Sequence, residues 1–375
     1  MAGLYIHIPF CKSRCIYCGF YSTTHHELQQ RYVDAVCREI VESRERKEGS
    51  GERIETLYLG GGTPSQLTGQ QLQQLFQYIN KVYGLSEIKE ITMECNPDDL
   101  TEEYVCMLKD LPVNRVSMGV QTFSNERLRF LHRRHSAEQI PIAVERLRKA
   151  GLCNISIDLM FGFPDETLTN WQNDIDKALK LEVEHLSAYS LMYEEGTPLY
   201  SLLEAGQVNE IDEELSRHMF ASLIDSLTAA GYEHYEISNF AKPGFRSRHN
   251  SSYGNQTPYI GLGAAAHSYD GVSRRCWNTD DLTHYIEGME SGLRFYEEEL
   301  LDADTRYNEM VMTALRTCEG LNIANLSTEH AGLCLQQAQQ FIHSGLLTYN
   351  GQCLKLTREG LFVSNMIMSE LMLVK

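Results

Sequence analysis

The sequence predicts an α/β protein: a partial (β/α)6 TIM-like barrel followed by a small winged-helix-like α+β module. Three observations predict it. Short β-rich runs alternate with helical stretches six times between residues 4 and 230, the pattern of βα units around a parallel sheet. Chemically unusual residues gather at the C-terminal ends of those runs, which describes the active face of a barrel; an open doubly wound sheet gathers its ligand at one switch point instead. Beyond residue 297 the order changes to helix, helix, hairpin, helix.

LYIHI (4–8) is the first strand, and a helix rich in Glu, Arg and spaced apolar residues follows over 26–47. ETLYLG (55–60) is the second, with a helix near 68–82. EITMEC (90–95) and RVSMGV (115–120) are the third and fourth, followed by helices near 101–109, 124–131 and 137–150. NISIDLMFG (154–162) and HLSAYSLM (185–192) are the fifth and sixth, with helices near 167–180 and 212–230. HYEISNFA (234–241) reads as one extra strand, and the stretch 246–271, rich in Gly, Ser, Asn and Tyr, as a loop. Helices are expected over 304–317, 330–344 and from 358, and Asn350-Gly351 between two alternating runs marks a hairpin. The expected organisation is a barrel over 1–230, an extension over 231–296 and a C-terminal module over 297–375.

Composition narrows the function. The 375 residues are 42% hydrophobic and 22% charged, enough to bury a large core. Net charge is −18, from 33 basic and 51 acidic residues, the wrong sign for neutralising phosphates. Residues 297–375 hold ten acidic and five basic side chains, which disfavours a DNA-reading role for the C-terminal module. No run approaches the roughly 20 apolar residues of a membrane span. MAGLYIHIPF has neither a basic n-region nor a long apolar h-region, so the expected location is the cytosol.

Eleven cysteines are present, and three of them, Cys11, Cys15 and Cys18, fall within eight residues. The other eight are scattered and read as small apolar residues. In a cytosolic chain a tight cluster points to metal or catalysis rather than disulfides. Structural zinc wants four ligands, and His7, His25 or His26 stands near enough in sequence to be the fourth. Three thiolates alone suit a [4Fe–4S] cube with one iron left open to a non-protein ligand.

The spacing C-x3-C-x2-C, with Tyr17 before the third cysteine, resembles the signature of the radical S-adenosylmethionine (SAM) enzymes. That resemblance implies a barrel of the radical SAM type, a [4Fe–4S] cluster whose open iron binds SAM, and one-electron cleavage of SAM to a 5′-deoxyadenosyl radical. Gly60-Gly61-Gly62-Thr63-Pro64 fits no phosphate-loop pattern; in the family the equivalent stretch meets the methionine amino group. YIHIPFC, LGGGTP, MECNP, SMGVQTF, IDLMFGFP and the HN-x-x-Y element at 249–253 are similar, in order along the whole chain, to the oxygen-independent coproporphyrinogen III oxidase family. The likeness implies SAM contacts at Tyr5, Tyr17, Gly61, Gly62, Thr63, Glu94, Gln121, Arg133, Asp158 and Met192. Carboxylates suit ribose hydroxyls and an arginine suits a carboxylate.

Two departures turn the expectation from oxidase to the family's heme chaperone branch. Phe20 stands where the oxidases carry a further cysteine, and the first strand begins at residue 4 without their N-terminal extension. The branch implies heme and heme-accepting apoproteins as partners, with an electron donor such as flavodoxin or ferredoxin, and leaves peripheral membrane association open. His249 and His267 are the candidate axial ligands, with Tyr253 beside them; Gly254 replaces an expected Trp, and Tyr259 or Trp277 is the substitute platform. The alternatives are decarboxylation of coproporphyrinogen by a true oxidase and heme degradation by a radical SAM methyltransferase.

Overall fold

The computed structural model describes residues 2–45 and 53–374. The first strand, β1 (Ala2–Ile8), pairs in parallel with β2 (Ile54–Gly61), and the series continues through β3 (Glu90–Cys95), β4 (Arg115–Gln121), β5 (Ile155–Phe161) and β6 (His185–Ser190). Helices α1 (Gln29–Glu45), α2 (Gly69–Tyr83), α3 (Glu102–Lys109), α4 (Asn125–Phe130), α5 (Gln139–Lys149) and α6 (Leu168–Lys180) connect them. The last two residues of the helix expected over 26–47 lie outside the described residues. Helix starts follow local chemistry: Thr68 and Gln71 form a reciprocal capping box at α2, as do Thr167 and Asn170 at α6.

Each central strand alternates, but both of its faces are covered. Val116, Met118 and Val120 of β4 join the apolar core under the helices, while Arg115, Ser117 and Gly119 face a cavity. Glu94 of β3, Asp158 of β5 and Ser187 of β6 face the same cavity, and Met93, Ile157 and Leu186 turn away from it into the core. A polar-lined lumen inside a sheet of parallel strands is what a barrel builds.

The sheet is larger than the six expected strands. After α7 (Pro198–Glu204) and α8 (Glu213–Ala229), the segment read as one strand over 234–241 is a hairpin, β7 (Glu233–Glu236) and β8 (Asn239–Ala241), and β8 pairs antiparallel with β6. The stretch read as a loop over 246–271 contains α9 (Arg248–Gly254), β9 (Tyr259–Leu262) and β10 (His267–Tyr269). Strand β9 pairs in parallel with β1 through Tyr5 and Gly261. Then β11 (Arg274–Asn278), α10 (Leu282–Ser291) and β12 (Tyr296–Leu300) finish the sheet, whose order is β12-β11-β10-β9-β1-β2-β3-β4-β5-β6-β8-β7. Residues 231–296 therefore extend both edges of one sheet.

The close approach of β9 to β10 explains its glycine: a Cβ on Gly261 would stand 2.0 Å from the His267 carbonyl oxygen. Glu39 of α1 ties the extension down, accepting from Gly263 N (2.8 Å), Asn278 Nδ2 (2.7 Å) and the Tyr285 hydroxyl (2.7 Å).

The C-terminal segment has its own apolar cluster around Tyr307, Val311, Phe341 and Leu371. It comprises α11 (Ala303–Ala314), α12 (Thr328–His343), α13 (Arg358–Leu361), α14 (Ser364–Leu371) and a small sheet of β13 (Leu321–Asn322), β14 (Leu347–Tyr349) and β15 (Cys353–Leu356). Asn350 makes the hairpin turn, its Oδ1 accepting from Gln352 N and Cys353 N. Among the described residues no helix is long and apolar enough to cross a membrane.

Candidate functional site

The loop after β1 carries the cysteines, and its backbone is fixed at both ends. Cys11 N donates to Thr23 O (2.8 Å) and Thr23 N to Pro9 O (2.7 Å). Between the second and third cysteines Ile16 is buried with Leu131, Met160, Phe163, Leu191 and Leu199. Its N donates to Leu131 O (3.3 Å) and its O accepts from Leu199 N (2.9 Å). One apolar anchor thus turns the polar remainder of CKSRCIYC toward a cavity of about 640 Å3, which all three thiols line.

The glycine run after β2 is shaped by packing. A Cβ on Gly60 would stand 2.7 Å from Tyr58, and one on Gly62 2.6 Å from the Pro9 carbonyl carbon. Gly61 has φ +111°, and its added Cβ would meet the His7 ring at 2.4 Å. These contacts bring Thr63 Oγ1 within 3.4 Å of Cys11 Sγ.

Two carboxylates stand deeper. Glu94 accepts from the Tyr58 hydroxyl (2.7 Å) and from Gly61 N (3.1 Å), and burial pushes its pKa up to about 7. Burial likewise pushes Asp158 up to about 6. Gln121 ends β4 in the left-handed region, φ +67°, at a bulge against β5. Gly119 makes room beside it: a Cβ there would meet Gln121 Nε2 at 2.9 Å and Arg133 Nη2 at 3.0 Å. Arg133 donates to Gly119 O, to Asn96 Oδ1 (2.8 Å) and to Cys15 Sγ (3.6 Å). Partial burial raises the thiols of the half-buried Cys11 and Cys18, Cys18 to about 11.

Of the ten positions expected to contact SAM, all but Tyr5 line this cavity. Tyr5 lies below it, its hydroxyl 3.0 Å from His7 Nδ1 and its ring stacked on Tyr58. Met192 lies two residues beyond the end of β6 rather than at its last position, and is 62% exposed at the cavity rim. Phe20 is also at the rim and exposed.

The heme candidates fall elsewhere. His249 is buried, with Nδ1 2.9 Å from Thr56 Oγ1, Nε2 3.2 Å from the Tyr253 hydroxyl, and its ring stacked on Tyr58. Both nitrogens are engaged, the pattern of a satisfied core histidine. His267 is exposed on β10 and stacks on Trp277, its cross-strand partner, at 5.6 Å between ring centroids. Tyr253, exposed, meets Tyr259 edge-on at 5.1 Å. A Cβ on Gly254 would stand 2.9 Å from the Thr317 methyl, so a larger residue there requires that side chain to shift.

Sequence reasoning missed Arg115, Ser117 and Ser187, which share the cavity wall. The signal was present: RVSMGVQ alternates strictly, and its non-apolar phase is the lumen side.

The residues fit an iron–sulfur cube. Three free thiols from one anchored loop line one cavity. No three His, Cys, Asp or Glu among the described residues are grouped as the ligands of a single metal ion. His7, offered as a fourth ligand, is turned away: its Nε2 is 3.1 Å from Tyr21 O and its Nδ1 is taken by Tyr5. His26 Nε2 meets Cys11 O, and His25 pairs with Glu27.

Comparison with known proteins agrees with this geometry. The family model of the radical SAM superfamily matches residues 5–178, and that of the HemN C-terminal domain matches residues 301–363. A heme chaperone HemW from Bacillus subtilis is 34% identical over 373 residues, covering 97% of each chain. The heme chaperone HemW of Escherichia coli is 31% identical, again covering 97% of each. Among solved structures, coproporphyrinogen III oxidase (HemN) from Escherichia coli shares the fold with a TM-score of 0.82 at 21% identity, over 99% of this chain and 89% of that one.

Proposed function

The chain belongs to the radical SAM superfamily, among the HemW heme chaperones, and from that membership we propose that it binds heme and hands it to apoproteins. The observation that carries the reading is one cavity that unites three anchored thiols with Glu94, Gln121, Arg133 and Asp158. Cys11, Cys15 and Cys18 would hold a [4Fe–4S] cluster, which would supply one-electron chemistry and a Lewis-acidic site for SAM. Arg133, held by Asn96 and Gly119 O, directs its charge at that end of the cavity and pairs with the SAM carboxylate. Glu94 and Asp158 are the proposed partners of the ribose and amino groups, since carboxylates accept from both.

Heme sits outside the thiol end, on the sheet face formed by β9, β10 and β11. His267 is the axial ligand there, because its ring is exposed whereas both nitrogens of His249 are engaged. Trp277 and Tyr259 supply the aromatic surface that Gly254 does not. A small reductant such as flavodoxin or ferredoxin supplies electrons, and the apoproteins are the acceptors. The acidic surface, net −18, is no platform for nucleic acid, and the cytosol, with peripheral contact to a membrane where the acceptors require it, is the site of action.

The test is heme titration of the anaerobically reconstituted protein beside an assay for coproporphyrinogen decarboxylation. Binding of heme without decarboxylation supports the chaperone. Conversion of coproporphyrinogen to protoporphyrinogen makes it an oxidase, and open tetrapyrroles formed from heme and SAM make it a heme-degrading enzyme.

A further inference from the structure

Arg115 opens β4, is only 2% exposed, and has no hydrogen-bond partner at Nε or Nη1. Burying a guanidinium is expensive unless its donors are met. The groups around it are already spoken for. Glu90 accepts from Arg248 N (2.9 Å) and His249 N (3.0 Å), capping α9. Glu94 accepts from Tyr58 and Gly61. His185 has Nδ1 2.7 Å from Ser156 Oγ and Nε2 2.8 Å from the Tyr235 hydroxyl. What remains for Arg115 is the cavity, whose wall it forms with Ser117, Asn250 and Asp158; the Arg115 charge acts on the Asp158 carboxylate, but no hydrogen bond joins them. Strand β4 runs from Arg115 to Gln121, so the guanidinium enters from the end opposite the thiols, and Arg133 serves the thiol end.

We propose that the floor of the cavity is a carboxylate-binding subsite built on Arg115, distinct from the carboxylate position at Arg133. A guanidinium presents a planar fork of donors that a carboxylate matches in bidentate fashion, and a desolvated wall strengthens the pair. The subsite rests on the reading that SAM binds in this cavity and heme on the β9–β11 face, which adjoins it through β1: both ligands carry carboxylates, and a propionate extends beyond the heme ring. Arg133 is tied to Gly119 O, four residues along β4 from Arg115 or about 13 Å of strand, so the two guanidiniums meet different carboxylates, and with the SAM carboxylate at Arg133 the one at Arg115 belongs to a heme propionate.

The experiment compares ligands that differ only in that group, on the full chain reconstituted without oxygen: heme against heme dimethyl ester, and SAM against decarboxylated SAM, each with wild type and R115Q. Wild type prefers heme over its diester by about tenfold or more. R115Q loses that preference while binding the diester as wild type does, a pattern general unfolding cannot produce. Should the Arg115-dependent preference appear in the SAM pair instead, the subsite stands and its carboxylate belongs to SAM. Preferences that are unchanged in R115Q for both pairs overturn it. If wild type binds neither heme nor diester, the heme reading fails by itself, and the SAM pair alone decides Arg115. Where R115Q does not fold, R115K, which keeps the charge and removes the fork, carries the same comparison.

Discussion

Arg133 Nη1 stands 3.6 Å from Cys15 Sγ, so a half-buried cation faces the thiol end of the cavity before any ligand arrives. The same guanidinium is oriented by Asn96 Oδ1 and Gly119 O, which fix it from the side away from the thiols. Removing it takes away a charged partner for the SAM carboxylate. R133Q is expected to weaken SAM binding by about 2 kcal/mol, roughly thirtyfold, with all three cysteines still holding iron. Equilibrium binding of SAM to the reconstituted variant, beside its iron content, checks this.

Ile16 matters through geometry alone. It carries no ligand atom, yet it seats the loop in the cluster formed with Leu131, Phe163 and Leu199. I16A is expected to cost about 2–4 kcal/mol locally and to lower cluster occupancy with every thiol present. Iron and sulfide analysis of I16A against I16V, which keeps most of the volume, separates loop anchoring from thiol chemistry.

Glu94 gives the metal-free protein a pH signature. Burial raises its pKa from 4.5 to about 7, so folding favours the protonated acid. That contribution is whole below about pH 4.5 and is lost as pH rises to about 7; for a group this buried it is on the order of 3 kcal/mol. Asp158, raised to about 6, adds a loss of the same sign over a lower window. E94Q does not titrate. Its melting temperature relative to wild type is expected to climb between pH 4.5 and 7 and then level off. A difference independent of pH would contradict the buried-acid assignment.

The two histidines separate stability from heme contact. H249A breaks contacts to Thr56 and Tyr253 and a stack on Tyr58, at about 2–3 kcal/mol of stability. H267A removes an exposed ring stacked on Trp277 and is expected to leave melting nearly unchanged while abolishing the axial-ligand band of bound heme. Thermal melts and visible spectra of the two variants, side by side, check the division.

Much of the barrel was legible because its strands are bounded by turn residues and followed by amphipathic helices. EITMEC is β3 residue for residue. The cavity's thiol end was legible from the spacing of Cys11, Cys15 and Cys18 and from GGGTP, because both follow strands directly. Strand β9 was not. YIGL is short, lies among Gly, Ser and Asn, and owes its strand conformation to β1, more than 250 residues earlier; no local pattern encodes such a partner. The hairpin of β7 and β8 was read as one strand because Ile237-Ser238 between them carries no glycine or proline to mark the turn. His249 looked like a ligand because a motif shows residue types and not which nitrogens are already engaged. Arg115 was passed over because arginine at the start of a strand usually reaches solvent, and only the lumen makes it interior.

The most direct measurement is electron paramagnetic resonance of the reduced, oxygen-free protein with and without SAM. A [4Fe–4S] signal that shifts on addition of SAM, and that is lost when any one of Cys11, Cys15 or Cys18 becomes serine, is the expected result. Zinc at those thiols, or an iron–sulfur signal that SAM leaves unchanged, would contradict it.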